Sequence, residues 1–200
     1  MLSALCIKKS AEFFAIVPNI PNKPNRIQVQ VKWSKPQPGW VKLNTDSSMF
    51  GDPKKAGGGV IQNSEGDWVV GFVKKFENVS SITAKLWAFK EGFLMAKQLG
   101  IENLCVDLDA AFLVYLITNP SVVNLNLESL LSDYKNLTKM FPNCLVTHVY
   151  REANCCADRL AKMGTTLYTD YLFLYNPPPV VVNLLALDKI GHVCNRLIIP

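Results

Sequence analysis

His148-Val149-Tyr150-Arg151-Glu152-Ala153-Asn154-Cys155-Cys156-Ala157-Asp158 sets a histidine and a carboxylate at the two ends of what reads as a strand-to-helix turn. Leu145 to Tyr150 alternate and are rich in β-formers, as a strand requires. Asn154 is suited to cap a helix running through Ala157, Leu160 and Ala161. Asp158 then falls in the first turn of that helix. Two more isolated aspartates, Asp46 and Asp109, end strand-like runs upstream, and ionised carboxylates are the ligands that a hard divalent cation takes. The three carboxylates are expected to converge.

Working outward from that stretch, Trp40 to Ser48 alternates Val41, Leu43 and Thr45 against Lys42, Asn44 and Asp46, a half-buried strand whose polar face carries the aspartate. Gly57 to Gln62 reads as a second strand. Asn63-Ser64-Glu65-Gly66 is a hairpin connection into a third, Trp68 to Phe76. A helix is expected over Ser81 to Leu99, apolar on more than one side and stopped by Gly100. Leu104, Val106 and Leu108 alternate with Cys105, Asp107 and Asp109 in a fourth strand, followed by a short helix from Ala110 to Thr118 that Asn119-Pro120 breaks. A further helix spans about Leu125 to Met140. The order is α/β: three antiparallel strands, then parallel additions, in a mixed sheet with helices on both faces. Residues 1–35, with Pro18, Pro21 and Pro24, read as an extended leader; 36–166 form the domain, and 167–200 a C-terminal extension.

Composition narrows the class. Two hundred residues at 49% hydrophobic content suffice for one good core. Lys and Arg number 21 against 16 Asp and Glu, a net charge of +5 that tolerates a polyanionic partner without demanding one. No run reaches the ~18 apolar residues of a membrane span, and Lys8 and Lys9 follow the short apolar start instead of preceding it. An intracellular, non-secreted protein without a membrane partner is expected, nucleus and cytoplasm being equally open and a monomer favoured. The six cysteines lack C-x-x-C spacing, which argues against structural zinc.

The residues also carry a resemblance. Trp33 with Gly39-Trp40-Val41-Lys42-Leu43-Asn44-Thr45-Asp46, Ala56-Gly57-Gly58-Gly59-Val60-Ile61, Gly66-Asp67-Trp68, Leu86-Trp87-Ala88, Asp107-Leu108-Asp109 and His148 to Asp158 together look like the plant ribonuclease H-like domain family, related to the reverse transcriptases of retroelements. The tail from Pro177-Pro178-Pro179 through Leu187-Asp188-Lys189-Ile190-Gly191 resembles the C-terminal extension of those proteins. What the resemblance implies is a type 1 ribonuclease H fold with a five-stranded mixed sheet, acting as an endonuclease on the RNA strand of an RNA–DNA hybrid, with duplex RNA a related partner. It implies two Mg²⁺ ions, Mn²⁺ being a substitute, that activate a water and stabilise the leaving oxygen. Asp46 would bridge both metals, Asp109 and Asp158 would each hold one, and His148 would assist product release or proton transfer.

The chain departs from the family at one of those ligands. Where the family carries Ala-Glu-Leu-Trp-Ala, this sequence reads Ala84-Lys85-Leu86-Trp87-Ala88, so a cation replaces a carboxylate. At ~4 Å and an effective dielectric near 20, one unit of charge contributes roughly 4 kcal/mol. Reversal opposes metal binding enough to slow turnover on the order of a thousandfold. Glu91 lies six residues along and roughly 240° around the helix, a poor substitute, and Glu77 precedes the helix in a loop. Ser47 stands where the family commonly has glycine. Lys85 therefore predicts impaired catalysis, and two rival readings stand beside the hydrolase: an inactive nucleic-acid-binding pseudoenzyme, or a protein-interaction module. If phosphate tracking persists, Lys42, Lys54, Lys55, Lys74, Lys75 and Arg151 should form one stripe beside Asp46.

Each residue also has a plainer role open to it. Asp46 could be a solvated strand carboxylate, Asp109 the N-cap of the helix after it, and His148 a strand residue with a satisfied hydrogen bond. Asp158 could only complement a helix dipole. Trp68 and Trp87 fall in apolar periodic runs and are expected in the core.

Overall fold

The computed structural model describes residues 26–49, 55–119 and 128–199. Its main unit runs from Val31 to Cys194 and is built on a six-stranded sheet. Strand β2 (Val41–Met49) pairs antiparallel with β3 (Lys55–Gln62), which pairs antiparallel with β4 (Trp68–Phe76). On the other side of β2 lies β5 (Asn103–Leu108), parallel to it, and then β6 (Asn143–His148), parallel to β5. The expected meander with parallel additions is therefore present. The difference is the count, since β7 (Tyr171–Leu174) adds a sixth strand, antiparallel to β4 through Gly71–Leu174 and Lys74–Tyr171. Four residues are too few to reveal alternation, so only pairing defines this strand.

Helix α1 (Ser81–Gln98) starts where the Ser80 hydroxyl accepts the Thr83 N–H at 3.0 Å and ends before Gly100, whose φ of 67° suits a left-handed stop. Its Leu86, Phe89 and Phe93 are fully buried against Leu43, Ile61 and Phe72, each worth about 1.5–3 kcal/mol of burial. The helix seats closely because Gly92 has no Cβ to strike the Leu43 methyls. After β5 come α2 (Ala111–Thr118) and α3 (Glu128–Thr138); residues 120–127, the expected start of the longer helix among them, lie outside the described residues.

The opposite face carries α4 (Cys155–Gly164), whose Leu160 and Cys156 join Val60 and Val73 in a second cluster. A Cβ on Gly58 would meet the Ala161 nitrogen at 2.4 Å, so glycine is what lets this helix lie directly on β3. Val181 and Leu185 of α5 (Pro179–Ile190) complete the same cluster. The boundary expected at residue 166 thus falls inside a packed unit: β7 and α5 bury apolar side chains against the sheet. The described residues outside that unit are 26–30 and 195–199. Strands β1 (Ile27–Val31) and β8 (Cys194–Ile198) pair as a two-stranded ribbon.

One local expectation is overturned. Asn154 occupies the N-cap position of α4, but its side chain makes no capping bond. It is 1% exposed and donates instead to the Thr45 carbonyl at 3.0 Å. A buried amide is satisfied by the nearest carbonyl, and here that belongs to β2.

Candidate active site

Asp46 lies within β2, opposite Gly58 on β3, and not at the strand end that the sequence suggested. Asp109 directly follows β5, whose parallel register with β2 sets Leu108 beside Thr45, so the two aspartates emerge on adjacent strands. The N-cap position of α2 is Ala110, with no side-chain bond. Asp109 is therefore not that helix's cap.

Lys85 joins them. In the first turn and a half of α1, its Nζ stands 2.6 Å from Asp46 Oδ1 and 2.6 Å from Asp109 Oδ1, so the carboxylate oxygens are no farther apart than two hydrogen bonds reach. The Asp46 side chain is 4% exposed and that of Lys85 30%. Asp46 Oδ1 also accepts the Ser47 N–H at 2.7 Å. Leu86, Phe89, Leu108 and Leu113 line the depression around the three charged groups.

Burial weighs first on both partners. For Lys85 it is outweighed by the charges and hydrogen bonds of Asp46 and Asp109, which hold the ammonium charged to higher pH than usual. For Asp46 burial prevails over the lysine, and the neighbouring Asp109 carboxylate adds to it, so this carboxyl sits above the usual range.

Asp158 is directed elsewhere. It receives Arg151 Nη2 at 2.5 Å and the Lys162 ammonium one helical turn on. Burial raises its carboxyl, but the hydrogen bonds from Lys162 and Arg151 outweigh it and set the group below the usual range. Among the described residues no three or more His, Cys, Asp and Glu side chains come close enough together to hold a metal ion. The expected three-carboxylate cluster is not what these residues form. A divalent cation shared by Asp46 and Asp109 would need the position that the Lys85 ammonium fills, so the donor set as it stands does not fit one.

His148 ends β6 beside Leu108, exposed, with its ring edge-on to Tyr150 at 5.4 Å. Neither glutamate rescues the site: Glu91 is ion-paired with Lys74 and Glu77 is exposed in the loop before α1. Several of the basic residues expected in a stripe are engaged within the fold. Lys42 is buried and bound to Asp107 at 2.7 Å, Lys55 donates to the Val79 carbonyl, and Lys74 lies 5.8 Å over the Tyr171 ring. Lys54 is outside the described residues. Trp68 packs in the second cluster as expected of a core residue, whereas Trp87 is 38% exposed, its ring held edge-on by Phe76 at 5.6 Å.

Sequence reasoning missed two sets of residues. Lys162 was detectable from its i,i+4 spacing to Asp158. The buried chain Trp33, Asn44 and Asn154, in which Trp33 Nε1 donates to Asn44 Oδ1 at 2.9 Å, had no local signal because its members are distant in sequence.

Comparison with known proteins agrees with this architecture. The model of the reverse transcriptase-like family matches residues 44–164. A ribonuclease H protein of Arabidopsis thaliana is 28% identical over 182 residues, covering 86% of this chain; the chain spans 28% of that relative's length. The ribonuclease H1 of the archaeon Halobacterium salinarum superposes with a TM-score of 0.58 at 22% identity, covering 62% of this chain and 96% of that one. The N-terminal ribonuclease H domain from Mycobacterium tuberculosis gives 0.57 at 21% identity, with 63% and 93% covered. LC11 ribonuclease H1, solved in complex with an RNA/DNA hybrid, gives 0.57 at 18% identity, with 62% and 96% covered. Similarity at this level establishes a ribonuclease H-like fold. No helix among the described residues is long and apolar enough to cross a membrane.

Proposed function

The chain belongs to the reverse transcriptase-like family, and on that premise we propose that it is a nucleic-acid-binding domain whose hydrolytic centre is closed by its own lysine. The observation that carries this reading is Lys85 Nζ at 2.6 Å from both Asp46 and Asp109. A bound ammonium between two carboxylates supplies charge but has no open coordination position, so it cannot lower the pKa of a water or orient an attacking hydroxide as a metal ion does. The partners this reading favours are RNA–DNA hybrids and duplex RNA, since a relative of the same fold was solved on such a hybrid.

The test is cleavage of an RNA–DNA hybrid in Mg²⁺ by the unaltered chain, Lys85→Glu and Asp46→Asn. The expected result is no cleavage by the unaltered chain or by Asp46→Asn, and measurable cleavage by Lys85→Glu. Cleavage by the unaltered chain that Asp46→Asn abolishes would refute the closed-site reading.

A second reading, a protein-interaction module, is favoured by basic residues that are already engaged within the fold: among the described residues, Lys42 is buried on Asp107, and Lys74 and Arg151 are held in ion pairs. Duplex titrations separate the two, because phosphate-dominated binding weakens steeply with salt, whereas a module that has lost nucleic acid binds no duplex at any salt.

A further inference from the structure

We infer that the cleft around Lys85 receives a duplex phosphate backbone without any divalent cation, its carboxylates being neutralised by side chains of the chain itself; this rests on the nucleic-acid reading above. Two carboxylates line this cleft, Asp46 and Asp109, and a third, Asp158, stands on α4. Three cations meet them: Lys85 bridges the first two, and Arg151 and Lys162 hold the third. Asp158 holds the Arg151 guanidinium charged, and Asp46 and Asp109 add to that more weakly. In a metal-dependent site, uncompensated carboxylates repel the phosphodiester until cations arrive, so metal and substrate binding are coupled. Here the compensation is covalent to the fold. It is present before any ion binds, and the ammonium occupies the space between the buried Asp46 carboxylate and the half-buried one of Asp109.

The coupling between metal and duplex should therefore be absent in the natural chain and appear when Lys85 loses its charge. Lys85→Gln leaves Asp46 and Asp109 facing each other without a cation, in a setting where a partly buried charge is poorly screened. It creates a cation requirement that the natural chain lacks. Lys85→Arg keeps the charge, so its binding should stay independent of Mg²⁺ whatever its affinity, which separates charge from shape.

The experiment measures affinity for a short RNA–DNA hybrid in EDTA and in Mg²⁺ at matched ionic strength, using the full chain, Lys85→Gln and Lys85→Arg. In parallel, the melting temperature of each protein without nucleic acid is read with and without Mg²⁺. Expected are affinities for the natural chain and Lys85→Arg that agree within about twofold between the buffers, and a melting temperature indifferent to Mg²⁺. Lys85→Gln should bind about tenfold more weakly in EDTA, regain that loss in Mg²⁺, and melt higher with the ion than without it. Natural-chain binding that appears only with Mg²⁺ overturns this inference and leaves the nucleic-acid reading intact. Equal binding by Lys85→Gln and the natural chain in EDTA also overturns it. Absence of binding by the natural chain in both buffers overturns the nucleic-acid reading, and the inference with it.

Discussion

Asn44 donates its side-chain amide to Asn154 Oδ1 at 3.1 Å, joining residues 110 positions apart inside the sheet's buried face. Asn154 passes the connection back to β2 through the Thr45 carbonyl, one residue before Asp46, and Trp33 completes it from the other side. The strand that carries Asp46 and the turn that leads to Asp158 are thereby fastened by buried side chains.

Asn154→Leu should therefore cost far more than loss of a helix cap. A cap is worth about 1 kcal/mol, whereas leaving the Asn44 amide and the Thr45 carbonyl unpaired in a buried setting should cost about 2–4 kcal/mol. Denaturant unfolding of the variant measures this, and a loss of 1 kcal/mol or less would mean that Asn154 acts only as a cap.

Asp188 on α5 provides a pH-dependent contact. It accepts the Cys156 thiol at 3.3 Å, and burial first of all pushes its carboxyl up to about 6, against the lowering hydrogen bonds from Cys156 and Gln62. A carboxyl that holds its proton more tightly folded than unfolded destabilises the fold when ionised. The full cost is present above pH ~6 and fades as the pH falls towards the ordinary 3.8. Relative to Asp188→Asn, the natural chain should gain stability on acidification from pH 7 to 4, by up to about 3 kcal/mol. Paired melting curves across that range check it; parallel curves would show that Asp188 is solvated.

Much of this architecture is written locally. Strand β4 spans Trp68 to Phe76, as the Asn63–Gly66 connection before it indicates, and α1 is bracketed by the Ser80 cap and Gly100. What escapes local reading is defined by partners. The four residues of β7 become a strand only through β4. Lys42 looks like any polar-face lysine until the β2–β5 register sets its neighbour Asn44 beside Asp107. The site divides in the same way: the lysine at position 85 is visible in the sequence, but that it reaches both aspartates at once, while Asp158 turns to Arg151, depends on three elements meeting in space.

Gly58→Ala should damage the fold at the α4 contact. The added Cβ would stand 2.4 Å from the Ala161 nitrogen and 2.6 Å from Leu160, backbone and rigid side chain that cannot swing aside, so α4 must lift off β3. Overpacking of this kind costs about 1–3 kcal/mol or more. Gly39→Ala is the matched control: nothing lies within 4 Å of its Cβ, and only its φ of 80° is strained, worth about 1–2 kcal/mol. The helix displacement distinguishes them, since only Gly58→Ala should loosen amide-exchange protection along α4. Unchanged protection there would show that the strand and helix can part without cost.

The Lys42–Asp107 pair is the buried charge pair most open to dissection. Its 2.7 Å contact is enclosed at 7% and 3% side-chain exposure. Lys42 also donates to Ser34 Oγ at 3.1 Å and lies 5.6 Å over the Trp33 ring, and Thr147 donates to Asp107 at 2.5 Å. Removing one partner strands the other charge in a setting where water cannot compensate it. Lys42→Met or Asp107→Leu should therefore each cost about 3–5 kcal/mol. Removing both takes away the stranded charge, and Ser34 and Thr147 can rotate their hydroxyls to other acceptors. The double variant should then be less destabilised than either single one. Denaturant unfolding of the four proteins gives the coupling energy directly. Single-variant costs below about 1 kcal/mol, or a double variant equal to the sum of the singles, would mean that water reaches the pair and that β2 and β5 are held by their backbone pairing alone.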